Sequence, residues 1–452
     1  MAGLTSTMNA NLSAMLRGIR QWPRVLVGVS FFVFFLSFSA STIQFNDKVP
    51  LDDWRHDLRA DAAGYYIYLP GFFHHGFKAS GIDQDLALEL AGNGFQRDTV
   101  ADRIITKYPI GTALLQLPFF GVAEMIEGPG RTDGWTRTHH RAIEVGGVFY
   151  WTLGLLFLAL GLRARHGSTI GVAVLVLVCI AFGTNVFYYA FRAPGYSHIY
   201  SFFLVALSYY ALVADHGRPM RPAMRWTFLF ANAFILLVRP IDLIAVVALY
   251  GLLFLDRPAL LRDPRLLPAQ IGVGLVVAFP QLLYWKFVHG RWVVYSYGDE
   301  GFTNWDAPYW AEVLMSPMNG LIPHAPVFIL LPFGLFLLWQ RDRKQALLIG
   351  ALFVLVIYSF AAWHAWHFGC AYGMRPMVQY TPFLAILLWV LFDGLRRKYP
   401  AILHGLVPLL VLVAFVNYRA MLQYDVCYLW GNGQWMPYGR NIMEAFFGKV
   451  VF

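Results

Sequence analysis

Apolar runs of membrane-spanning length recur along most of this chain, and no other feature limits its fold as tightly. Bilayer hydrocarbon offers backbone N–H and C=O groups no water to bond, so a run of about 20 apolar residues crosses it as a helix. After Arg141 such runs alternate with short polar connectors, near 142–162, 169–189, 197–213, 226–238, 241–255, 268–287, 319–339, 346–362, 376–394 and 402–418. One more, Val25 to about Ala40, follows Arg17, Arg20 and Arg24. Ser39, Ala40 and Ser41 resemble a signal-peptide cleavage site, but the near-spanning length points to an uncleaved signal-anchor. Charged residues make up 13% of the chain, against about 25% in soluble proteins. The expected fold class is therefore all-α, a polytopic membrane protein with about eleven transmembrane helices in a single membrane domain over 1–452.

The net charge of +9 invites a nucleic-acid reading, yet the basic residues sit in short clusters between spans, as the positive-inside rule requires. Arg163 and Arg165; Arg218, Arg221 and Arg225; Arg257, Arg262 and Arg265; Arg341, Arg343 and Lys344; and Arg396, Arg397 and Lys398 form five such clusters. All five share the N-terminal, cytoplasmic side if the whole of 45–141 stays outside. That parity requires Tyr108 to Ile126 to be an interfacial or re-entrant helix and Trp226 to Leu255 to be two short crossings broken at Arg239 and Pro240. It leaves 45–141, 288–318 and the tail 419–452 as external segments, with the active face and the C-terminus outside the cytoplasmic (inner) membrane.

Four aspartates, Asp52, Asp53, Asp57 and Asp61, crowd ahead of Gly64, Tyr65, Tyr66, Tyr68 and Leu69. For the first three, a solvated acidic loop neutralised by Arg55 and Arg59 suffices. Asp61 differs, because Ala62 to Pro70 is a partly buried amphipathic stretch that would hold one carboxylate beside the bilayer. Arg239, in Val238-Arg239-Pro240-Ile241-Asp242, either faces a cavity or pairs with Asp242 to seal a helix break. Arg192, near His198, and Arg375, in Gly373-Met374-Arg375-Pro376, stand at outer span ends, where facing a site and snorkelling to headgroups are equal readings. His364 and His367 lie three apart among Trp363, Trp366 and Phe368. Acidic metal ligands are missing there, so an aromatic wall for a sugar or headgroup is the better reading. Asp299 and Glu300 lie in a glycine-hinged loop, read either as a lid that touches hydroxyls or as a solvated turn. Cys370 and Cys427 both fall on the outer side, where a disulfide between them is open.

An aspartate just after the first span, followed by Gly64-Tyr65-Tyr66-Ile67-Tyr68-Leu69-Pro70, resembles the first external loop of GT-C glycosyltransferases. This superfamily includes protein O-mannosyltransferases, lipid A aminoarabinose transferases and other polyprenyl-phosphate-sugar transferases. Lys107-Tyr108-Pro109-Ile110-Gly111, with Leu114, Leu115, Pro118 and Phe119, is similar to the family's interfacial helix. No clear second acid stands in the family's usual place; Asp98 and Asp102 are the candidates.

The resemblance implies Asp61 as catalytic base, deprotonating an acceptor hydroxyl as it attacks the anomeric carbon of a polyprenyl-phosphate sugar. Lys107, Arg192, Arg239 and Arg375 would neutralise the departing phosphate without a metal or other cofactor. Tyr65, Tyr66, His198, Asp242, Asp299, Glu300, His364 and His367 are the substrate-binding candidates. The expected partners are a lipid-linked sugar donor, an envelope glycan or lipid acceptor and membrane lipids, with no nucleic acid. A flippase of a lipid-linked sugar and a non-catalytic envelope assembly protein are the competing functions.

Overall fold

The computed structural model describes residues 28–51, 53, 56–82, 94–128, 130, 132–167, 169–424 and 435–447. Asp52, Arg55 and Cys427 lie outside them, and with Cys427 the question of its pairing to Cys370. Eleven apolar helices take the places of the eleven runs: α1 Gly28–Asn46, α2 Arg137–His166, α3 Ile170–Phe182, α4 His198–Val213, α5 Pro222–Val238, α6 Leu243–Asp256, α7 Leu266–His289, α8 Pro326–Arg341, α9 Arg343–Ala362, α10 Arg375–Lys398 and α11 Pro400–Gln423. Six of them, α1, α2, α7, α9, α10 and α11, have the length and hydropathy to cross a bilayer unaided. The chain is thus a multi-pass membrane protein.

The helices pack through small residues and aromatic clusters, because lipid leaves no hydrophobic gain for helices to associate. A Cβ added at Gly154 of α2 would come within 2.5 Å of the Phe202 ring of α4, so these two helices meet backbone to ring. Trp151 of α2 is buried and receives Phe34 and Phe38 of α1 at ring centroid distances of 5.0 and 5.1 Å.

Five connectors gather at one end of the bundle and are cross-linked there. Arg165 binds Asp256 at 2.7 Å, Arg225 binds Asp263 at 2.8 Å, and Arg257 donates to the carbonyls of Asp215 and Arg218. Asp393 accepts from Arg396 and Arg397, with Arg341 at 3.9 Å, and His166 stacks on Trp389. The basic clusters therefore share one face. The break at Arg239 lies at the opposite end, so Trp226 to Leu255 is two passes.

The first loop has its own small core of Leu58, Tyr66, Tyr68, Leu69, Ile104, Phe120, Trp135 and Ile143. The interfacial stretch is a helix over Gly111–Glu127. One feature departs from the all-helical expectation for this loop: β1 Phe95–Asp98 and β2 Arg103–Thr106 pair antiparallel, Phe95 against Thr106 and Asp98 against Arg103. Burial alternates along Arg103-Ile104-Ile105-Thr106, as on a strand with one face packed. Asp98 and Asp102 serve this hairpin. Asp98 accepts from the Val100 and Ala101 amides, and Asp102 from Ser80.

Candidate active site

At the end opposite the basic connectors, a cavity of about 980 Å³ is lined by Asp61, Tyr65, Lys107, Tyr108, Tyr196, His198, Arg239, Gln281, Tyr297, Glu300, His364, His367 and Arg375, among others. Part of its lining is an apolar arm formed by Leu236 and Leu237 of α5, Ile241, and Ile271, Gly274, Ala278 and Leu282 of α7. Ile271 lines this arm while remaining exposed on the helix surface, so the cavity reaches the apolar perimeter of the bundle.

Asp61 opens the short helix Asp61–Tyr66. The residue before it, Ala60, has φ 47°, a left-handed conformation that costs a non-glycine residue about 1 kcal/mol or more. Packing holds it there. The Gly94 and Gly64 backbones press on this turn so closely that a Cβ on Gly94 would overlap the Ala60 carbonyl, and one on Gly64 the Gly94 carbonyl. Thr106 then fastens the hairpin to the helix, its hydroxyl donating to the Gly64 carbonyl at 2.8 Å. The Thr106 amide donates to the Tyr284 hydroxyl of α7 at 2.9 Å. Lys107, the next residue, is thereby delivered across the cavity from Asp61.

Two Arg-Pro pairs supply the other cations. Proline biases the residue before it away from the α region, so α5 ends at Val238 and Arg239 is extended, with φ −150° and ψ 106°. A 3-10 turn, Pro240–Asp242, begins the next pass. At Arg375-Pro376 the same chemistry starts α10 with a 3-10 segment, Arg375–Tyr380. Arg375 donates to Asp61 Oδ2 at 2.6 Å. Its guanidinium also lies over the rings of Tyr196 and Phe368, at 5.1 and 5.9 Å. Arg239 donates to Ser197 Oγ at 3.0 Å, and that hydroxyl donates to Tyr65 at 2.9 Å.

The remaining expectations divide. Tyr65, His198, Glu300, His364 and His367 line the cavity. Glu300 holds Lys107 at 2.5 Å, whereas Asp299 is exposed on the loop surface and outside the lining. Asp242 is fully buried behind the cavity, 4.0 Å from Arg239, and accepts from Ser201, Gln379 and Tyr380. It is absent from the lining and braces the break. Tyr66, one residue on from Tyr65, points the other way and donates to the Gly134 carbonyl at 2.6 Å. Arg192 is also absent from the lining; it donates to the Leu422 carbonyl and covers Phe45, because its turn faces α1 and α11. Sequence reasoning missed Tyr108 and Tyr196. Tyr108 lines the cavity with Asp61 and packs on Tyr65 at 4.3 Å. The run Arg192-Ala193-Pro194-Gly195-Tyr196 signals a turn that aims a ring, without saying where.

Three cations face two carboxylates here, so the cavity has a net positive charge fit for a phosphate. Burial pushes the Asp61 carboxyl up, but Arg375, the Tyr108 hydroxyl and Lys107 together outweigh it and leave it below the usual carboxylate range. The group is ionised at neutral pH. The arrangement can bind a phosphate monoester or diester at the cations, a lipid tail along the apolar arm, and a hydroxyl at Asp61.

No known family profile matches the chain, and no curated protein matches its sequence. In three dimensions the chain shares the polytopic helical fold of known membrane proteins. Two crystal structures of ArnT from Cupriavidus metallidurans share it. The one bound to undecaprenyl phosphate has a TM-score of 0.54 at 15% identity, over 93% of this chain and 78% of that one. The apo state has 0.54 at 14%, over 93% and 69%.

Proposed function

We propose that the chain is an inverting glycosyltransferase that takes a sugar from a polyprenyl-phosphate donor. The acceptor would be an envelope lipid or glycan at the outer face of the cytoplasmic membrane. One observation carries the reading: a buried carboxylate, Asp61, sits with Lys107, Arg239 and Arg375 in a cavity whose apolar arm leads to the membrane perimeter. The likeness to ArnT bound to undecaprenyl phosphate supports the donor class.

In this reading the acceptor oxygen attacks the anomeric carbon and its proton passes to Asp61. The bond from that carbon to the phosphate oxygen breaks, and the electron pair leaves with the lipid phosphate. Fixed cations beside that oxygen lower the barrier because they need no reorganisation as charge develops. Resting Asp61 is a weak base while Arg375 holds it. A bound donor phosphate competes for Arg375, which frees the carboxylate and raises its basicity when an acceptor is to be deprotonated. The step is proposed to need no metal at the phosphate, since the three cations supply the charge.

The experiment is mass spectrometry of envelope glycans and lipid carriers in cells with and without the gene, complemented by wild type or Asp61→Asn. Loss of one sugar from one glycan, restored by wild type and not by Asp61→Asn, is the expected outcome. An accumulating intermediate that Asp61→Asn clears as well as wild type overturns the transferase in favour of a flippase. An unchanged glycan profile overturns it in favour of an assembly role.

A further inference from the structure

The geometry points to a metal site behind the catalytic segment, where His56, Asp57 and His140 hold one divalent transition-metal ion of the zinc class. His56 and Asp57 lie just ahead of Asp61, and His140 is in the first turn of α2. All three are buried, at 6, 6 and 2% exposure. Their candidate ligand atoms all lie within 4.8 Å of one another.

The three side chains converge on one carboxylate oxygen: His140 Nδ1 hydrogen-bonds Asp57 Oδ1 at 2.8 Å, and His56 Nδ1 contacts the same oxygen. The two imidazoles meet edge to face with centroids 4.1 Å apart. His56 Nδ1 also accepts the Asp57 backbone N–H at 2.9 Å, a bond that an ion at this nitrogen would displace. Two imidazoles and a carboxylate thus share a dry place, where a buried carboxylate needs hydrogen bonds or a cation at its oxygens. Asp57 Oδ2 is buried without a hydrogen-bond partner, and so is Oε2 of Glu144. Glu144 stands four residues after His140, on the same face of α2. Arg59 does not take this role through its Nη2, which donates to the Leu51 carbonyl. Two neutral imidazoles and a carboxylate, with Glu144 or a water in the fourth position, form a ligand set suited to zinc.

None of the three residues lines the large cavity, so the ion would be structural. It would clamp the chain four residues before Asp61 to the start of α2. This inference rests on the loop geometry alone and survives whether or not the chain transfers sugar.

The test uses the full chain purified in detergent, loaded with zinc and dialysed against metal-free buffer. Inductively coupled plasma mass spectrometry should find about one zinc per chain, as for a structural site. Cobalt(II) in place of zinc should give the intense visible bands of a four-coordinate ion. Chelation should lower the thermal transition, and zinc alone should restore it. Asp57→Asn and His140→Ala should each cut bound zinc at least fivefold. Wild-type protein that keeps less than about a tenth of an equivalent, or whose transition ignores chelator and zinc, overturns the proposal. So do folded variants that retain wild-type zinc. If the variants fail to fold, the wild-type cobalt spectrum and the zinc stoichiometry decide.

Discussion

At the residue scale, the site turns on which oxygen takes a proton and which cations face the phosphate. A positioned general base contributes about 10²- to 10⁴-fold. Asp61→Asn should therefore lower kcat by at least about 10²-fold with the donor KM nearly unchanged, measured with purified protein and a synthetic polyprenyl-phosphate sugar. Arg375 and its partner predict the pH profile. A carboxylate held below its unfolded value of about 3.9 stays ionised until the pH falls through the lowered folded value. Its contribution to stability is present above the unfolded value and lost on that acid side. The acid limb of kcat/KM for the free enzyme should accordingly lie below pH about 4. In Arg375→Ala that limb should move upward, because burial then acts unopposed by its nearest cation, and kcat should fall by about 10²- to 10³-fold. Arg192→Ala, whose guanidinium is spent on the Leu422 carbonyl, should leave kcat within about twofold, as expected for a group making no transition-state contact.

At the scale of elements, the hairpin is what makes Asp61 and Lys107 one site. A methyl group on Gly94 meets the Ala60 carbonyl and the Gly64 amide, and none of these is a flexible side chain that could yield. Gly94→Ala should push the hairpin off the turn, and a misplacement of about 1 Å costs near 10²-fold in rate. Turnover of the variant against its donor affinity measures this, since an unfolded protein would lose both. The Arg-Pro breaks were legible in the sequence, because proline's effect on its neighbour is local. So was the interfacial helix after Pro109. The hairpin was not, since four-residue strands flanked by Asp and Gly give too short a pattern to overrule a helical neighbourhood. Tyr65 and Tyr66 show a similar limit. Adjacent tyrosines on a short helix point about 100° apart, and only the packing of Trp135 and the Gly134 carbonyl decides which one is turned from the cavity.

Across the whole molecule, the sidedness proposed for the site follows from the clustering of five basic connectors at one end. Impermeant maleimide on intact cells should label Asp299→Cys and spare Arg343→Cys until the cells are opened, each compared with the parent chain. Labelling in the reverse order would place the cavity on the cytoplasmic side and remove the proposed acceptor class.

The apolar runs, the clustering of basic residues between them and the candidacy of Asp61 could be read from the chain alone. Span length, charge between spans and a carboxylate after the first span are properties of neighbours along the backbone. Only tertiary structure chose Arg375 and Arg239 over Arg192, sent Asp242 and Tyr66 into supporting roles and brought His56, Asp57 and His140 together. Those outcomes depend on which loop lies against which across more than a hundred residues, and side-chain direction at such range is set by packing that no local pattern encodes.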